Sequence, residues 1–306
     1  MPGIAWVLPF LSGFSDASSR VATKLTKGVH KSVFLFMGGV YALPFFVLLL
    51  WYRGIPDIHP NFWKWLFVPL PFSLLANILT IEAHQASHMT TTTPYLAVSA
   101  PMLLVTAPLL GGPSPTIWGV IGVITIVAGI YILSATEGGN PKQVFRYIKT
   151  ERGPRLMLIV GVLYGFMANV DYWGIKYSSL PFWIFSYRLA MIAGSALLVF
   201  GYRAVGRIKK GELRPPLLAQ KGIWLSSIFG ILSIMPHLFA IKLLGEVPYV
   251  IAGKRAGTVI GSTAAGITLA LVRPKEHSGE IKHLGKRFVG IATILIGMTV
   301  FYLLGK

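Results

Sequence analysis

Ionisable side chains interrupt several otherwise apolar stretches of this sequence. The charged members are Asp16, Arg20, Asp171, Arg188, Lys254 and Arg255. His237 and Asn77 add uncharged polar groups in similar surroundings. A charged side chain at the centre of a membrane-spanning helix costs at least about 2.5–3.5 kcal/mol, so each one needs a partner or a function. The chemistry open to such groups is ion pairing, proton transfer or the binding of a charged solute.

The spacing of these residues indicates which charges can pair. Asp16 and Arg20 are four residues apart, so they share one face of a helix and can form an ion pair. This pair would either be structural or face a solute. Asp171 has no deeply placed basic residue at helical spacing in its own apolar stretch. We therefore expect its partner to come from another helix, with Arg188 and Lys254 as the candidates.

The interior charges do not balance. The two carboxylates give −2 and the four basic groups give +4, which leaves +2, or +1 if Lys254 is neutral. A bound anion would compensate this surplus, since Arg matches carboxylate or phosphate oxygens and Lys adds a point charge. The adjacent Lys254 and Arg255 diverge by about 100° on a helix. They either bind an anion or neutralise Asp16 and Asp171, and both interpretations remain open.

The composition places these charges in a membrane protein. Of the 306 residues, 54% are hydrophobic and 12% are charged, and the mean hydropathy is +0.66. Soluble domains carry about a quarter charged residues. The net charge of +18 does not indicate a nucleic-acid partner, because most Lys and Arg lie in short runs between apolar segments. The sequence has no cysteine, which excludes disulfides and cysteine-ligated metals, and a cleaved signal peptide is not expected.

Windows of about 20 mostly apolar residues predict ten membrane spans. They cover approximately Ile4–Val21, Val33–Trp51, Phe62–Ile81, Pro94–Leu110, Trp118–Leu133, Leu156–Trp173, Phe182–Tyr202, Ile223–Leu244, Val247–Val272 and Phe288–Leu304. Connections 1–2, 5–6, 7–8 and 9–10 hold 19 of the 28 Lys and Arg. The positive-inside rule then places these loops in the cytoplasm and both termini outside the cytoplasmic membrane. The interior charges of spans 6 to 9 arrive at a similar depth.

An internal repeat divides the chain into two halves. The segment Gly122–Gly129 (GVITIVAG) matches Gly290–Gly297 (GIATILIG). Two further matches occur in the same order, Pro94-Tyr95 with Pro248-Tyr249 and Gly13-Phe14 with Gly165-Phe166. Because five spans is an odd number, the second copy must be inverted, which is the architecture of alternating access. We predict repeats at 1–150 and 151–306, joined by a segment at 141–151 that is either a helix on the membrane surface or a solvated linker.

This two-times-five plan resembles the drug/metabolite transporter superfamily, and specifically the EamA-like permeases. The run PYLAVSAPMLLVTAPLL, with Pro101 at its middle, is similar to the family's fourth helix, and the Gly-rich spans 5 and 10 look like its closing helices. Two features depart from the family. Gly111-Gly112-Pro113 stands where an acidic residue usually follows the fourth helix, and the predicted orientation of the termini is reversed.

A second resemblance concerns the ninth span. Its adjacent Lys254 and Arg255 are similar to the phosphate-binding pair of the plastid sugar-phosphate translocators, which belong to the same superfamily. The resemblance implies that these two residues hold a phosphate or carboxylate group.

We therefore predict a secondary transporter of a small organic solute, most simply an anionic or phosphorylated metabolite. An exchanged anion, or a proton carried by Asp16 or Asp171, would drive it. The predicted substrate-binding residues are Lys254, Arg255, Arg188, Asp171, Asp16, Arg20, His237, Asn77 and Tyr249. No cofactor or metal is expected. The sequence contains no ATP-binding Gly-rich loop and neither the HExxH nor the GxSxG motif, so we do not expect an enzyme.

Three alternatives remain open at this stage. One is an exporter of amphipathic or cationic compounds or amino acids that uses Asp16 or Asp171 as its binding acid. Another is a flippase of a lipid-linked phosphate. The last, less favoured, is a membrane-embedded transferase acting on lipid phosphates.

Other conspicuous residues favour structural interpretations. Glu82, His84 and His88 are predicted at the end of span 3 and in a solvated, Thr-rich loop after it. Tyr164 and Trp173 are expected to pack between helices or anchor at the membrane surface. Small residues recur every fourth position in span 9, at Gly253, Gly257, Gly261 and Ala265, and this spacing predicts close helix packing.

Overall fold

The computed structural model describes residues 2–26, 28–110, 116–138, 148–208, 210–213, 215–244, 247–277 and 284–304. Within these ranges the chain is almost entirely helical and contains no strand. The predicted all-α class is therefore confirmed for the described residues. Most of the predicted connection at 141–151 lies outside them, as does the Gly111-Gly112-Pro113 sequence.

The helices follow one another with short connections. In chain order they are α1 (Pro2–Leu25), α2 (Lys31–Arg53), α3 (Phe62–Phe67), α4 (Leu70–Ala86), α5 (Met89–Thr92), a 3₁₀ helix (Thr93–Val98), α6 (Ser99–Leu109), α7 (Ile117–Gly138), α8 (Arg152–Lys176), α9 (Leu180–Ala204), a short 3₁₀ helix (Lys210–Leu213), α10 (Leu217–Leu244), α11 (Val247–Val272), α12 (Pro274–His277) and α13 (Leu284–Leu304).

Several helices are long and apolar enough to cross a membrane. Among the described residues there are seven such segments, namely Lys31–Arg53, Phe62–Ala86, Met89–Leu109, Arg152–Lys176, Leu180–Ala204, Leu217–Leu244 and Val250–Val272. Shorter apolar helices lie at Ile117–Ile132 and Arg287–Val300. Large apolar side chains such as Leu48, Leu197 and Leu271 are exposed on these helices, as expected where lipid is the solvent. The chain is therefore a helical protein of membrane type.

The predicted solvated loop after span 3 is wrong. The polypeptide from Met89 to Val98 is helical, and Met89 and Tyr95 are fully buried. Four consecutive threonines in this stretch are buried as well. A threonine hydroxyl can bond a carbonyl of the preceding turn, as Thr91 Oγ1 does to His88 O at 3.0 Å, so a Thr-rich run can enter the protein interior.

Glycines bring α1 and α11 into backbone contact. A Cβ atom on Gly13 would collide with the carbonyl oxygen of Lys254 and lie 2.6 Å from the backbone nitrogen of Thr258. A Cβ atom on Gly257 would collide with the carbonyl oxygen of Phe10, and one on Gly261 would lie 2.8 Å from Ala17 Cβ. The close packing predicted from the spacing of small residues in span 9 is confirmed at these two glycines.

The contact between α7 and α13 is reciprocal. A Cβ atom on Gly129 would lie 2.6 Å from Ile294 N and 2.9 Å from Gly290 O. A Cβ atom on Gly297 would lie 2.7 Å from both Ile126 N and Gly122 O. The two glycines thus meet equivalent positions of the matching GVITIVAG and GIATILIG segments, as the two sides of a contact related by a twofold axis do.

The remaining helices enclose the centre. α1 packs against α10 and α11, α8 packs against α4 and α6, and α2 packs against α9. Phe46, Phe62 and Trp183 are fully buried together at one end of the assembly, which we call the aromatic end. At the opposite end, called the basic end, the carboxylate of Glu82 pairs with both Lys31 and Arg152.

Candidate functional site

A cavity of about 310 Å³ lies between α1, α2, α4, α8, α9, α10 and α11. Eight of the nine predicted binding residues line it, and they are Asp16, Arg20, Asn77, Asp171, Arg188, His237, Lys254 and Arg255. The ninth, Tyr249, belongs to α11, and its side chain lies outside the described part of the structure. Residues from six different predicted spans therefore meet at one cavity.

Asp16 and Arg20 form the ion pair that their spacing predicts. Arg20 Nε donates to Asp16 Oδ2 at 2.8 Å, and the hydroxyl of Thr258 donates to the same oxygen at 3.1 Å. The Arg20 side chain is buried, whereas Asp16 retains 19% of its side-chain exposure. The pair therefore cancels charge within α1 and also ties this helix to α11.

His84 completes the polar surroundings of Arg20. It is fully buried in α4, and its Nε2 lies 3.5 Å from Arg20 Nη1. Because its Nδ1 lies 2.7 Å from the carbonyl oxygen of Thr80, that nitrogen must carry the proton, and Nε2 is then free to accept. His84 thus lies in the last turn of α4, at the end of the span as predicted, but the prediction of solvated surroundings is wrong. The sequence did contain a signal for the inward position of His84: it follows Asn77 by seven residues, which places both on the same face of α4.

Arg255 is held by neighbouring helices. Its Nε donates to Ser99 Oγ of α6 at 3.1 Å, and its guanidinium lies 5.1 Å from the ring centroid of Tyr164 in α8. The side chain is 5% exposed. Tyr164, for which packing or surface anchoring was favoured, lines the cavity. Trp173, in contrast, stacks with Trp65 at the aromatic end.

Asp171 has a different partner from the one expected. Its Oδ1 accepts a hydrogen bond from Trp183 Nε1 at 3.0 Å, and its Oδ2 lies 3.9 Å from His237 Nε2. Among the described residues, neither Arg188 nor Lys254 is within ion-pair distance of this carboxylate, so that expectation is wrong. A neutral indole donor stabilises the carboxylate instead. His237 is buried, and its Nδ1 has no hydrogen-bond partner in the described structure.

Lys254 and Arg188 line the cavity without a carboxylate partner among the described residues. Both side chains are partly exposed rather than fully buried. The guanidinium of Arg188 lies 5.3 Å from the ring centroid of Phe46. The positive surplus expected from the sequence is therefore concentrated on these two groups.

Uncharged polar side chains cover much of the remaining wall. Ser19 and Ser226 exchange hydrogen bonds between α1 and α10, and Ser227 Oγ donates to Gly38 O of α2 at 3.1 Å. Asn77 Nδ2 donates to Ser73 O within α4 at 2.8 Å. The cavity is polar as well as positively charged, which suits a hydrophilic solute better than a lipid chain.

The two ends of the cavity differ in chemistry. At the aromatic end, the ring of Trp183 fills the space beside Gly174 and contacts Phe62 edge-on at 6.0 Å between centroids. The basic end is held by the Glu82 ion pairs and by Lys24, whose Nζ donates to Ser87 O at 2.9 Å.

His30 caps α2 at the basic end. The Nδ1 of His30 accepts a hydrogen bond from the backbone N–H of Ser32. The residue itself precedes the apolar helix. Burial lowers the pKa of His30 from its ordinary value; Glu212 opposes this shift and Lys31 reinforces it. The neutral form that the cap requires is thereby favoured.

Comparison with known proteins adds a likeness of fold. No protein-family model matches the sequence, and no curated protein matches it. One solved crystal structure is 14% identical in sequence and superposes with a TM-score of 0.66, covering 99% of this chain and 98% of that chain. The overall arrangement of helices therefore has a counterpart in a known structure along nearly its whole length.

Proposed function

We propose that this protein is a secondary transporter of a small organic anion, a member of the EamA-like branch of the drug/metabolite transporter superfamily. The observation that carries the proposal is the positively charged cavity among apolar helices, lined by four basic and two acidic side chains. Its volume of about 310 Å³ lies at the small end of the range for ligand pockets. An anionic metabolite would compensate charges that the protein leaves unpaired.

The proposed architecture is ten spans in two inverted repeats of five. The reciprocal glycine contacts between α7 and α13 support it, because they join matching positions of the two halves. A second pair of contacts joins corresponding helices of the two halves. Gly13 of α1 packs on the backbone of α11 at Lys254 and Thr258, and the matching Gly165 of α8 packs on α6 at Met102 and Ser99. An inverted repeat around a central cavity is the arrangement that produces alternating access.

The proposed orientation puts the basic end in the cytoplasm and the aromatic end outside. The loops of the basic end carry most of the Lys and Arg, which translocate poorly. Transport would then require the Glu82 ion pairs and the Trp183 packing to open in turn. Exchange of a second anion is the simplest driving force, since the empty carrier keeps a surplus of positive charge.

A second candidate is the export of a cationic compound bound at Asp171. This carboxylate lines the cavity and accepts a hydrogen bond from an indole N–H. Among the described residues it has no Lys or Arg within ion-pair distance, which favours this candidate. The overall positive charge of the wall disfavours this candidate, because a cation would have to approach Lys254 and Arg188 as well.

Solute counterflow in proteoliposomes tests the proposal. Vesicles preloaded with an unlabelled small carboxylate or phosphate ester are expected to accumulate the same labelled anion. Vesicles preloaded with an organic cation are not expected to accumulate the labelled cation. Recovery of the solute chemically unchanged separates a carrier from an enzyme. Accumulation of cations alone would replace the proposal by its second candidate, and accumulation of neither would overturn both.

A further inference from the structure

The four interior cations occupy unequal situations. Arg20 is bound to Asp16 within α1, at 2.8 Å. Arg255 donates to Ser99 and lies over the ring of Tyr164, so its guanidinium is engaged by two neighbouring helices. Lys254 and Arg188 remain. Across the described residues, neither makes a hydrogen bond or an ion pair through its charged group.

The two remaining cations reach the cavity from different walls. Arg188 belongs to α9, which packs chiefly against α2 and α4, whereas Lys254 belongs to α11, which packs chiefly against α1 and α13. The ring of Phe46 lies against the guanidinium of Arg188. Contact with an aromatic face leaves the in-plane N–H donors of a guanidinium available to a ligand. A solute bound between these walls would contact the guanidinium N–H donors of Arg188 on one side and the ammonium of Lys254 on the other.

We propose that Arg188 and Lys254 together bind the anionic groups of the substrate, and that Arg255 is a positioning residue that fixes α11 against α6 and α8. This inference rests on the proposed anion transport and assigns its specificity. It separates the adjacent residues Lys254 and Arg255. Both line the cavity, but the guanidinium of Arg255 is engaged by Ser99 and Tyr164 of neighbouring helices, whereas the ammonium of Lys254 makes no hydrogen bond or ion pair to the described residues.

The charge balance defines the ligand further. Asp16 and Asp171 offset two of the four interior cations, so a ligand with two negative charges makes the cavity neutral. A volume of about 310 Å³ corresponds to about ten water molecules, which favours a solute with a short skeleton. A small phosphate monoester or a short dicarboxylate meets both conditions. These two share the same chemistry, two negative charges carried on oxygen.

Binding to the purified full-length protein, measured by thermal stabilisation, tests the assignment. Two matched pairs of ligands serve as probes: succinate with its monoamide succinamate, and glycerol 3-phosphate with glycerol. We expect at least one dianion to bind about tenfold more tightly than its partner, because each charge-assisted hydrogen bond is worth about 1.5–3 kcal/mol. Preference for glycerol 3-phosphate identifies a phosphate ester as the substrate class, and preference for succinate identifies a dicarboxylate.

Substitutions then assign the residues. Arg188→Gln and Lys254→Gln are each expected to weaken dianion binding about tenfold or more and to reduce the preference over the partner ligand towards one. Arg188→Lys and Lys254→Arg, which keep the charge, should retain part of the preference. Arg255→Lys should preserve the preference for the dianion. The control Lys176→Gln should preserve it too, because the ammonium of Lys176 lies over Trp173, away from the cavity.

The outcomes separate the two proposals. If dianions bind but both glutamine variants keep the wild-type preference, the assignment of Arg188 and Lys254 is overturned while anion transport stands. If Arg255→Lys loses the preference and the glutamine variants do not, Arg255 is the ligand instead. If no anion stabilises the protein and none crosses the bilayer in counterflow, the proposed function itself fails. Melting temperatures without ligand show whether each variant is folded.

Discussion

The seam between α7 and α13 and the wall of the cavity use similar apolar helices in opposite ways. In the seam, Gly129 and Gly297 leave no room for even a methyl group, and the contact involves backbone atoms. In the wall, Gly230 has no neighbouring atom within 4 Å of a Cβ position, and polar side chains project into open space. The seam is therefore intolerant of added volume, whereas the wall is intolerant of unmatched charge.

The largest expected effect comes from removing a charge in the wall. Asp16→Asn leaves Arg20 buried without a carboxylate, and breaking a buried ion pair in this way costs about 3–5 kcal/mol. Adding Arg20→Gln should recover part of the loss, so a double-mutant cycle measures the coupling. Asp57→Asn, at an exposed position, is the matched control and should have no effect on unfolding in detergent. Equal melting temperatures for Asp16→Asn and Asp57→Asn would show that the stability of the protein does not depend on the Asp16–Arg20 ion pair.

Adding one methyl group distinguishes a close backbone contact from the open part of the cavity wall. Gly13→Ala places a Cβ atom against the carbonyl of Lys254, and since a backbone cannot yield as a side chain does, we expect a loss of about 3 kcal/mol. The same change at Gly230, which lines the cavity within α10, should be neutral or slightly stabilising because alanine favours helix. Thermal unfolding of the two variants provides the comparison. The distinction fails if Gly230→Ala is the more damaging of the two.

Within the α7–α13 seam, reciprocity predicts two equal effects. Gly129→Ala and Gly297→Ala should each destabilise by about 1–3 kcal/mol, since each new methyl group meets the same backbone positions of the other helix. Gly285→Ala in α13, with no atom near its Cβ position, should leave stability unchanged. Losses that differ between Gly129 and Gly297 by more than about 1 kcal/mol would contradict the twofold relation.

The sequence predicted the helical class and the Asp, Arg and Lys residues around the cavity. Charges inside apolar spans are expensive enough that their few positions stand out, and alternating span directions brought Asp171, Arg188 and Lys254 to one depth. The prediction of small-residue packing also succeeded at Gly257 and Gly261, because close approach requires a fixed spacing.

Other parts of the site depend on information that the sequence does not carry locally. Trp183 as the partner of Asp171 was missed because a search for opposite charges overlooks a neutral N–H donor. The different surroundings of Lys254 and Arg255 follow from the rotation of α11, which is set by its packing on α1. His84 was assigned to the vicinity of a loop because the threonines that follow it have low helix propensity, and tertiary packing overrides that preference.

The 3₁₀ helix at Thr93–Val98 affects the axial length of its span. An α-helix rises about 1.5 Å per residue and a 3₁₀ helix about 2.0 Å, so these six residues extend about 3 Å further than they would in an unbroken α-helix. Ser99 follows this segment directly, and its hydroxyl accepts the hydrogen bond from Arg255. The longer rise therefore sets the height at which α6 meets α11.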